Sequence, residues 1–303
     1  MSRQQDLGGL FAPDRVAVVG ATEREGSVGR AVTANLLADF EGEVVPVNPN
    51  REEVLGEPCV PSLAASGADL AIVAIPPEPA VEAVREAGEN GIDELVVLTA
   101  GFGETGSEGA ARERELREIS EAYDLTLVGP NSLGIASTPV GLNATFGPSM
   151  PDPGSISFMS QSGAFVTAVI DWAFEQDIGF RHVVSLGNKA VLDETDLVGG
   201  WGADDGTDVI VGYLESIDDG REFVETAREV TAETPVVVIK SGRTDAGAGA
   251  AASHTGAIAG NDRAYSVGLD EAGVLRAESA SELFDAARAL AGQPLPESDG
   301  VAV

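Results

Sequence analysis

Short runs of Val, Ile and Leu alternate along the chain with amphipathic segments of roughly 10 to 18 residues, the rhythm of parallel strands joined by helical crossovers. Two series of such runs can be read. In the first, RVAVVG (15–20), EVVPV (43–47), DLAIVAI (69–75), ELVVLT (94–99) and LTLVG (125–129) are predicted strands. Helical patterning fills the gaps: in PEPAVEAVREAGENG, Val81, Val84 and Ala87 fall on one face and Glu82, Arg85 and Glu86 on another. Pro148, Pro151 and Pro153 in FGPSMPDPGS close this series, because prolines that dense fit inside no regular element. The second series has SISFMS (155–160), HVVSLG (182–187), VIVGYLE (209–215) and PVVVIKSG (235–242), with helical patterns at about 163–176, 219–232, 262–273 and 279–291. The pattern predicts an α/β chain: a Rossmann-like domain over 1–147, a flavodoxin-like domain over 148–293, and a linker over 294–303. After the linker-like PLPESDG, the terminal VAV reads either as the opening of a further domain's strand or as an unstructured or edge-paired end.

Charge changes the picture most. The 303 residues carry 50 acidic and 18 basic side chains, a formal net charge of −32, and Lys189 and Lys240 are the only lysines. Such a chain repels nucleic acid. The carboxylates are dispersed over helical stretches such as GSEGAARERELREISEAY instead of gathered in a tail, so a whole solvated surface is acidic. Screening that repulsion takes concentrated salt, with a Debye length near 3 Å at about molar ionic strength, which points to a halophilic, salt-accumulating cytoplasm. No run of about 18 apolar residues occurs and MSRQQDLGGLFAPD lacks a signal peptide's apolar core, so neither membrane nor export is indicated. One cysteine, Cys59, and two histidines, His182 and His254, leave no internal disulfide and no thiolate or imidazole cluster for a metal.

Candidate chemistry lies at strand ends. GATEREGSVGR follows the first strand with Gly20, Gly26 and Gly29 ahead of a helix, where backbone N–H groups suit a phosphate. The first two glycines are too widely spaced for the dinucleotide fingerprint. The second strand runs into VNPN (47–50) without the carboxylate that holds an adenosine ribose, so a nucleotide-like cofactor other than NAD fits better. Ile75-Pro76-Pro77, Thr99-Ala100-Gly101-Phe102-Gly103 and Gly129-Pro130-Asn131 also lie where open α/β sheets bind ligands, although proline and glycine also simply end strands. In FMSQSGAF (158–165), Ser162, Gly163 and Ala164 open a helix, as a phosphate cradle or as an ordinary serine cap. In AAASHTGAIAG (250–260), His254 is either an ordinary packed or surface histidine or, since its short neighbours leave the imidazole accessible, a nucleophile. Glu215, ending VIVGYLE, is the candidate carboxylate to orient it.

Taken in order, GATEREGSVG, VNPN, GFGETG, GPNSLGI, SQSGAF, YLESIDDG, KSGRT and SHTGAIAG resemble the NDP-forming acyl-CoA synthetases over roughly residues 8–291, above all the ADP-forming acetyl-CoA synthetases, relatives of the succinyl-CoA synthetase α subunit. The resemblance implies that Gly20, Ala21, Thr22, Ser27, Asn48, Pro49, Pro76, Pro77 and Phe102 hold coenzyme A and that Asn131 lies near the thioester. Where relatives often carry a basic residue directly after the NP dipeptide, this chain has Asn50 and then Arg51. The resemblance further makes His254 the phosphohistidine, Glu215 its supporting carboxylate, and Ser162, Gly163 and Ala164 the helix start that receives phosphate.

The implied reaction interconverts acyl-CoA, ADP and phosphate with carboxylic acid, CoA and ATP through an acyl phosphate and the phosphohistidine, with acetate the expected acid. Its nucleotide and Mg²⁺ belong to an ATP-grasp domain, expected as a separate β subunit or a fused C-terminal extension, in an oligomeric enzyme. Two other classes compete: a non-catalytic CoA-binding module, against which His254 and Glu215 count, and an NAD-dependent Rossmann protein, against which the stretched glycine loop counts.

Overall fold

A computed structural model describes residues 7–242 and 262–293. The first unit contains strands β1 (Arg15–Val19), β2 (Glu43–Val47), β5 (Leu70–Val73), β6 (Glu94–Val97) and β7 (Thr126–Val128), with a small hairpin of β3 (Glu53–Val54) and β4 (Glu57–Pro58). Helices α1 (Gly8–Phe11), α2 (Val28–Asp39), α3 (Pro77–Glu89) and α4 (Ser107–Tyr123) accompany them. The second unit uses β8 (Gly134–Ser137), β9 (Leu142–Thr145), β10 (Pro153–Ser160), β11 (Phe180–Ser185), β12 (Val209–Leu214), β13 (Val236–Lys240) and β14 (Leu275–Arg276). Its helices are α5 (Gly163–Glu175), α6 (Glu194–Gly202), α7 (Gly220–Val230), α8 (Asp262–Glu271) and α9 (Ala280–Ala291).

The first sheet runs β2-β1-β5-β6-β7, every neighbour parallel. Its strands are covered on both faces, which is why they read as continuous apolar runs: all four residues of β5 are buried. Helix α3 buries Val81, Val84 and Ala87, as its periodicity requires. The second sheet runs β14-β13-β12-β10-β11-β8-β9, parallel except for the antiparallel β8 and β9. Numbered within its own parallel strands, each sheet has the order 2-1-3-4-5, so strand order reverses between β1 and β5 in one and between β10 and β12 in the other. Those reversals open the crevices at which doubly wound sheets take ligands.

Three features depart from the pattern-based expectation. Strands β8 and β9 lie before the proline boundary placed at 148, yet β8 pairs with β11 of the second sheet while β9 packs on α2 of the first unit. Four-residue strands such as GIAS and LNAT carry too little alternation to be seen. Helix α6 was also unanticipated, because its sequence ETDLVGGWG is rich in glycine, a poor helix former. An Asp193–Asp196 capping box starts it, and burial of Leu197, Val198 and Trp201 holds it. Among the described residues no helix is long and apolar enough to cross a membrane.

Candidate active site

The carboxyl ends of six strands converge on one cavity of about 1040 Å³. From the first sheet come Ile75 after β5, Thr99 and Ala100 after β6, and Asn131 after β7. The second sheet contributes Gln161 to Ala164 after β10, Gly187 to Lys189 after β11, and Glu215, Ser216 and Asp218 after β12. The two switch points therefore face one shared space.

On the first-sheet side the loops are set by backbone packing. Gly20 has φ +93°, and a Cβ there would stand 2.6 Å from the Ala74 carbonyl oxygen. Ser27 caps α2 by accepting from the Arg30 N–H and itself donates to the Arg24 carbonyl. Asn48 donates from Nδ2 to the Ala21 carbonyl (2.8 Å), fastening the end of β2 to the loop after β1. Pro76 and Pro77 begin α3, where a missing N–H costs nothing.

Side chains dominate the second-sheet side. Ser162 caps α5 by accepting from the Phe165 N–H, and a Cβ at Gly163 would make ordinary contact with Leu133 and Ser185 at 3.5 to 3.6 Å, while Ser162, Gly163 and Ala164 line the cavity. Gln161 spans the β10–β12 crevice: its Oε1 accepts from the Glu215 N–H (2.7 Å) and the Ser216 N–H (2.9 Å), and its Nε2 donates to the Ser216 carbonyl (2.7 Å) and to Glu194 (3.1 Å). Glu194 is fully buried and accepts from Lys189 Nζ at 3.0 Å. Burial pushes its carboxyl up to about 7, while the Lys189 cation opposes that rise.

The CoA binding domain family matches residues 14–138, and the succinyl-CoA ligase-like flavodoxin domain family matches residues 153–290. Acetate–CoA ligase [ADP-forming] I of Archaeoglobus fulgidus is 48% identical over 91% of this chain and 40% of its own length. The α subunit of acetate–CoA ligase [ADP-forming] I of Pyrococcus furiosus is 40% identical over 98% of this chain and 66% of its own. The chain belongs to the NDP-forming acyl-CoA synthetase family. A solved family structure, the acetyl-coenzyme A synthetase 1 of Ca. Korarchaeum cryptofilum in complex with phosphate and ADP, superposes with TM-score 0.93 at 39% identity, covering 97% of this chain and 64% of that one. This synthetase-family chain thus spans between 40% and 66% of the length of these relatives.

Of the residues singled out in this synthetase-family sequence, Asn131, Ser162, Gly163, Ala164 and Glu215 line the shared cavity. Ser27 lines a smaller neighbouring hollow of about 340 Å³. Ala21 and Phe102 are fully buried, and the Phe102 ring belongs to the first unit's apolar core, so this side chain has no face to offer a ligand. His254 lies outside the described residues, as do the linker at 294–303 and the VAV end. The other histidine, His182, is stacked against Phe11 and Trp201, and burial pushes its imidazole down to about 4, against the pull of Asp204. It is a neutral packed side chain at working pH.

Several residues that shape the site were not singled out. Asn188 donates to Glu104 (2.6 Å) and Glu113 (2.8 Å) of the first unit and accepts from Asn131 (3.2 Å), joining the two sheets across the cavity. Burial would raise the Glu104 carboxyl, but bonds from Asn188 and the Gly101 and Phe102 N–H groups bring it below its ordinary value. A signal for Lys189 was present: it is one of two lysines in a strongly acidic chain, and SLGNKA places it just past a predicted strand.

Proposed function

We propose that this chain is the CoA-binding and phosphohistidine-bearing portion of an ADP-forming acyl-CoA synthetase, with acetate its acid. The observation that carries the reading is the single cavity into which Asn131, the α5 start and Glu215 all open. Coenzyme A would lie along the loops after β1, β2, β5 and β6, contacting Gly20, Thr22, Ser27, Asn48, Pro49, Pro76 and Pro77, with the buried Ala21 and Phe102 shaping their loops from within the core. Backbone N–H groups at Gly163 and Ala164 face the space where a phosphate oxygen needs charge compensation.

In this reading a phosphate oxygen attacks the acyl carbonyl beside Asn131. The C–S bond breaks, CoA leaves as the thiol after taking a proton, and an acyl phosphate remains at the α5 start. An imidazole nitrogen of His254 then attacks phosphorus and the carboxylate departs. Glu215 supports the phosphohistidine by accepting from the other ring N–H. Phosphoryl transfer to ADP, with Mg²⁺, occurs on an ATP-grasp β subunit or fused C-terminal domain within an oligomer. A net charge of −32 suits a cytoplasm that accumulates salt.

The test is phosphoenzyme formation in molar KCl. The chain is incubated with acetyl-CoA and labelled phosphate, and the label is assayed for the acid lability and base stability of phosphohistidine, with His254→Ala as control. Label lost in the control supports the reading. If CoA binds but no label forms even when a nucleotide-binding partner is added, the chain is a binding module instead.

A further inference from the structure

The described lining of the shared cavity holds more acidic than basic residues. Among the described lining residues, Glu104, Glu113, Glu215 and Asp218 are acidic, and Lys189 alone is cationic. Glu113 is paired with Arg117 at 3.0 Å and Asp218 with Lys189 at 3.4 Å, and helix-end N–H groups add only about half a charge toward a doubly charged guest.

Lys189 is held as a cation prepared for such a guest. Its side chain is 6% exposed, and Nζ lies 3.0 Å from Glu194, whose side chain is 0% exposed, and 3.4 Å from Asp218, whose side chain is 67% exposed. Nζ also reaches the Ser216 carbonyl at 3.3 Å. The two carboxylates differ in what it takes to remove them. Glu194 cannot leave without stranding a buried charge, whereas Asp218 can swing into water with little loss. Nζ also lies 3.4 Å from Ser216 Oγ, so its three donors are directed at Glu194 and Ser216, and the Asp218 contact is an ion pair whose charge an anion in the cavity can replace.

The backbone at this point is committed to that placement. Gly187 (φ +61°) and Lys189 (φ +56°) both take left-handed conformations, unusual for lysine. The loop is pinned by the Asn188 N–H on the Pro130 carbonyl (2.8 Å) and the Ala190 N–H on the Gly129 carbonyl (2.9 Å). Surrounding structure thus over-determines a residue in a sparsely populated conformation, as happens where a side chain is aimed at a ligand.

We propose that Lys189 is the anion-binding cation of this cavity: Glu194 anchors its ammonium from below, and the Asp218 contact gives way to an oxygen of a phosphate-class anion. The inference deepens the synthetase reading, on which it rests, by naming the charge that admits phosphate beside the α5 start.

The experiment is isothermal titration calorimetry of the full chain with inorganic phosphate, with CoA titrated separately. Lys189→Met, and Lys189→Met with Glu194→Gln so that no buried carboxylate is left alone, are expected to weaken phosphate binding at least about tenfold while CoA affinity stays unchanged. Asp218→Asn, a change at an exposed position, is expected to tighten phosphate binding several-fold by removing the competing anion. Phosphate affinity within twofold of wild type in the double variant, weaker binding in Asp218→Asn, or a wild-type chain that takes CoA but no phosphate would overturn the inference and leave the CoA assignment standing. A wild-type chain that binds neither ligand would instead remove the synthetase reading and the inference together.

Discussion

At the crevice between β1 and β5, Ala74 and Ile75 line the cavity and the loops behind them are held by contacts to main chain: Gly20 pressed toward Ala74, Asn48 tied to the Ala21 carbonyl, and prolines opening α3. At the crevice between β10 and β12, side chains do the shaping, through Gln161, Lys189, Glu194 and the Glu215 loop. Both crevices have the same strand order, so the difference is not imposed by topology. It suits a division of labour in which a long ligand is gripped by main chain along its length and a reacting group is met by placed charges.

The largest effect is expected on the charge side: His254→Ala should abolish the phosphoenzyme while leaving CoA affinity within about twofold, read by labelling and calorimetry. A loss of CoA binding would show that the two crevices are not separable. On the backbone side, Gly29→Ala would set a Cβ 2.1 Å from the Gly20 carbonyl oxygen. Overpacking against main chain should cost about 3 kcal/mol in urea unfolding and weaken CoA binding as the β1 loop shifts. Unchanged CoA affinity would argue that this loop does not touch the ligand.

His182 sharpens the contrast because it sits in the second sheet but away from the cavity. Its folded value of about 4 lies below the unfolded 6.5, so the unfolded chain takes up the proton first as pH falls. That contribution is intact above about pH 6.5 and is lost as pH falls toward 4. Wild type should therefore shed about 3 kcal/mol more than His182→Gln across this window, measured by urea midpoints. Equal slopes would mean the imidazole is already charged in the fold. The smallest effect is expected for Ser162→Ala, which removes the α5 cap for about 1 kcal/mol but keeps the Gly163 and Ala164 N–H groups. Phosphoenzyme should still form; its loss would give the hydroxyl a direct role.

Much of this was legible in the chain. The parallel strands stood out because burial on both faces makes them uninterrupted apolar runs, and the strand-end loops followed from that assignment. Ser162 and Glu215 were found because each sits at the edge of such a run. Helix α6 was hidden because tertiary burial of Trp201 overrides its glycines. Gln161 read as part of a turn; its role depends on reaching residues 54 and 55 positions away, a distance no local pattern encodes. The Lys189–Glu194 pair was invisible for a different reason: five residues apart in the sequence, it gains its meaning from how completely the fold encloses it.

The β8–β9 hairpin answers to two masters. One of its strands completes the second sheet, while the other lies along α2, where Asn35 donates to the carbonyls of Thr145 (2.9 Å) and Gly147 (2.8 Å). A fragment ending at 147 would carry an unpaired strand edge inviting self-association, and one beginning at 148 would expose the flank of β11. Recombination that trades one half of this molecule for a relative's must therefore bring a hairpin compatible with both neighbours, which makes the two halves a poor subject for shuffling despite their similar plan.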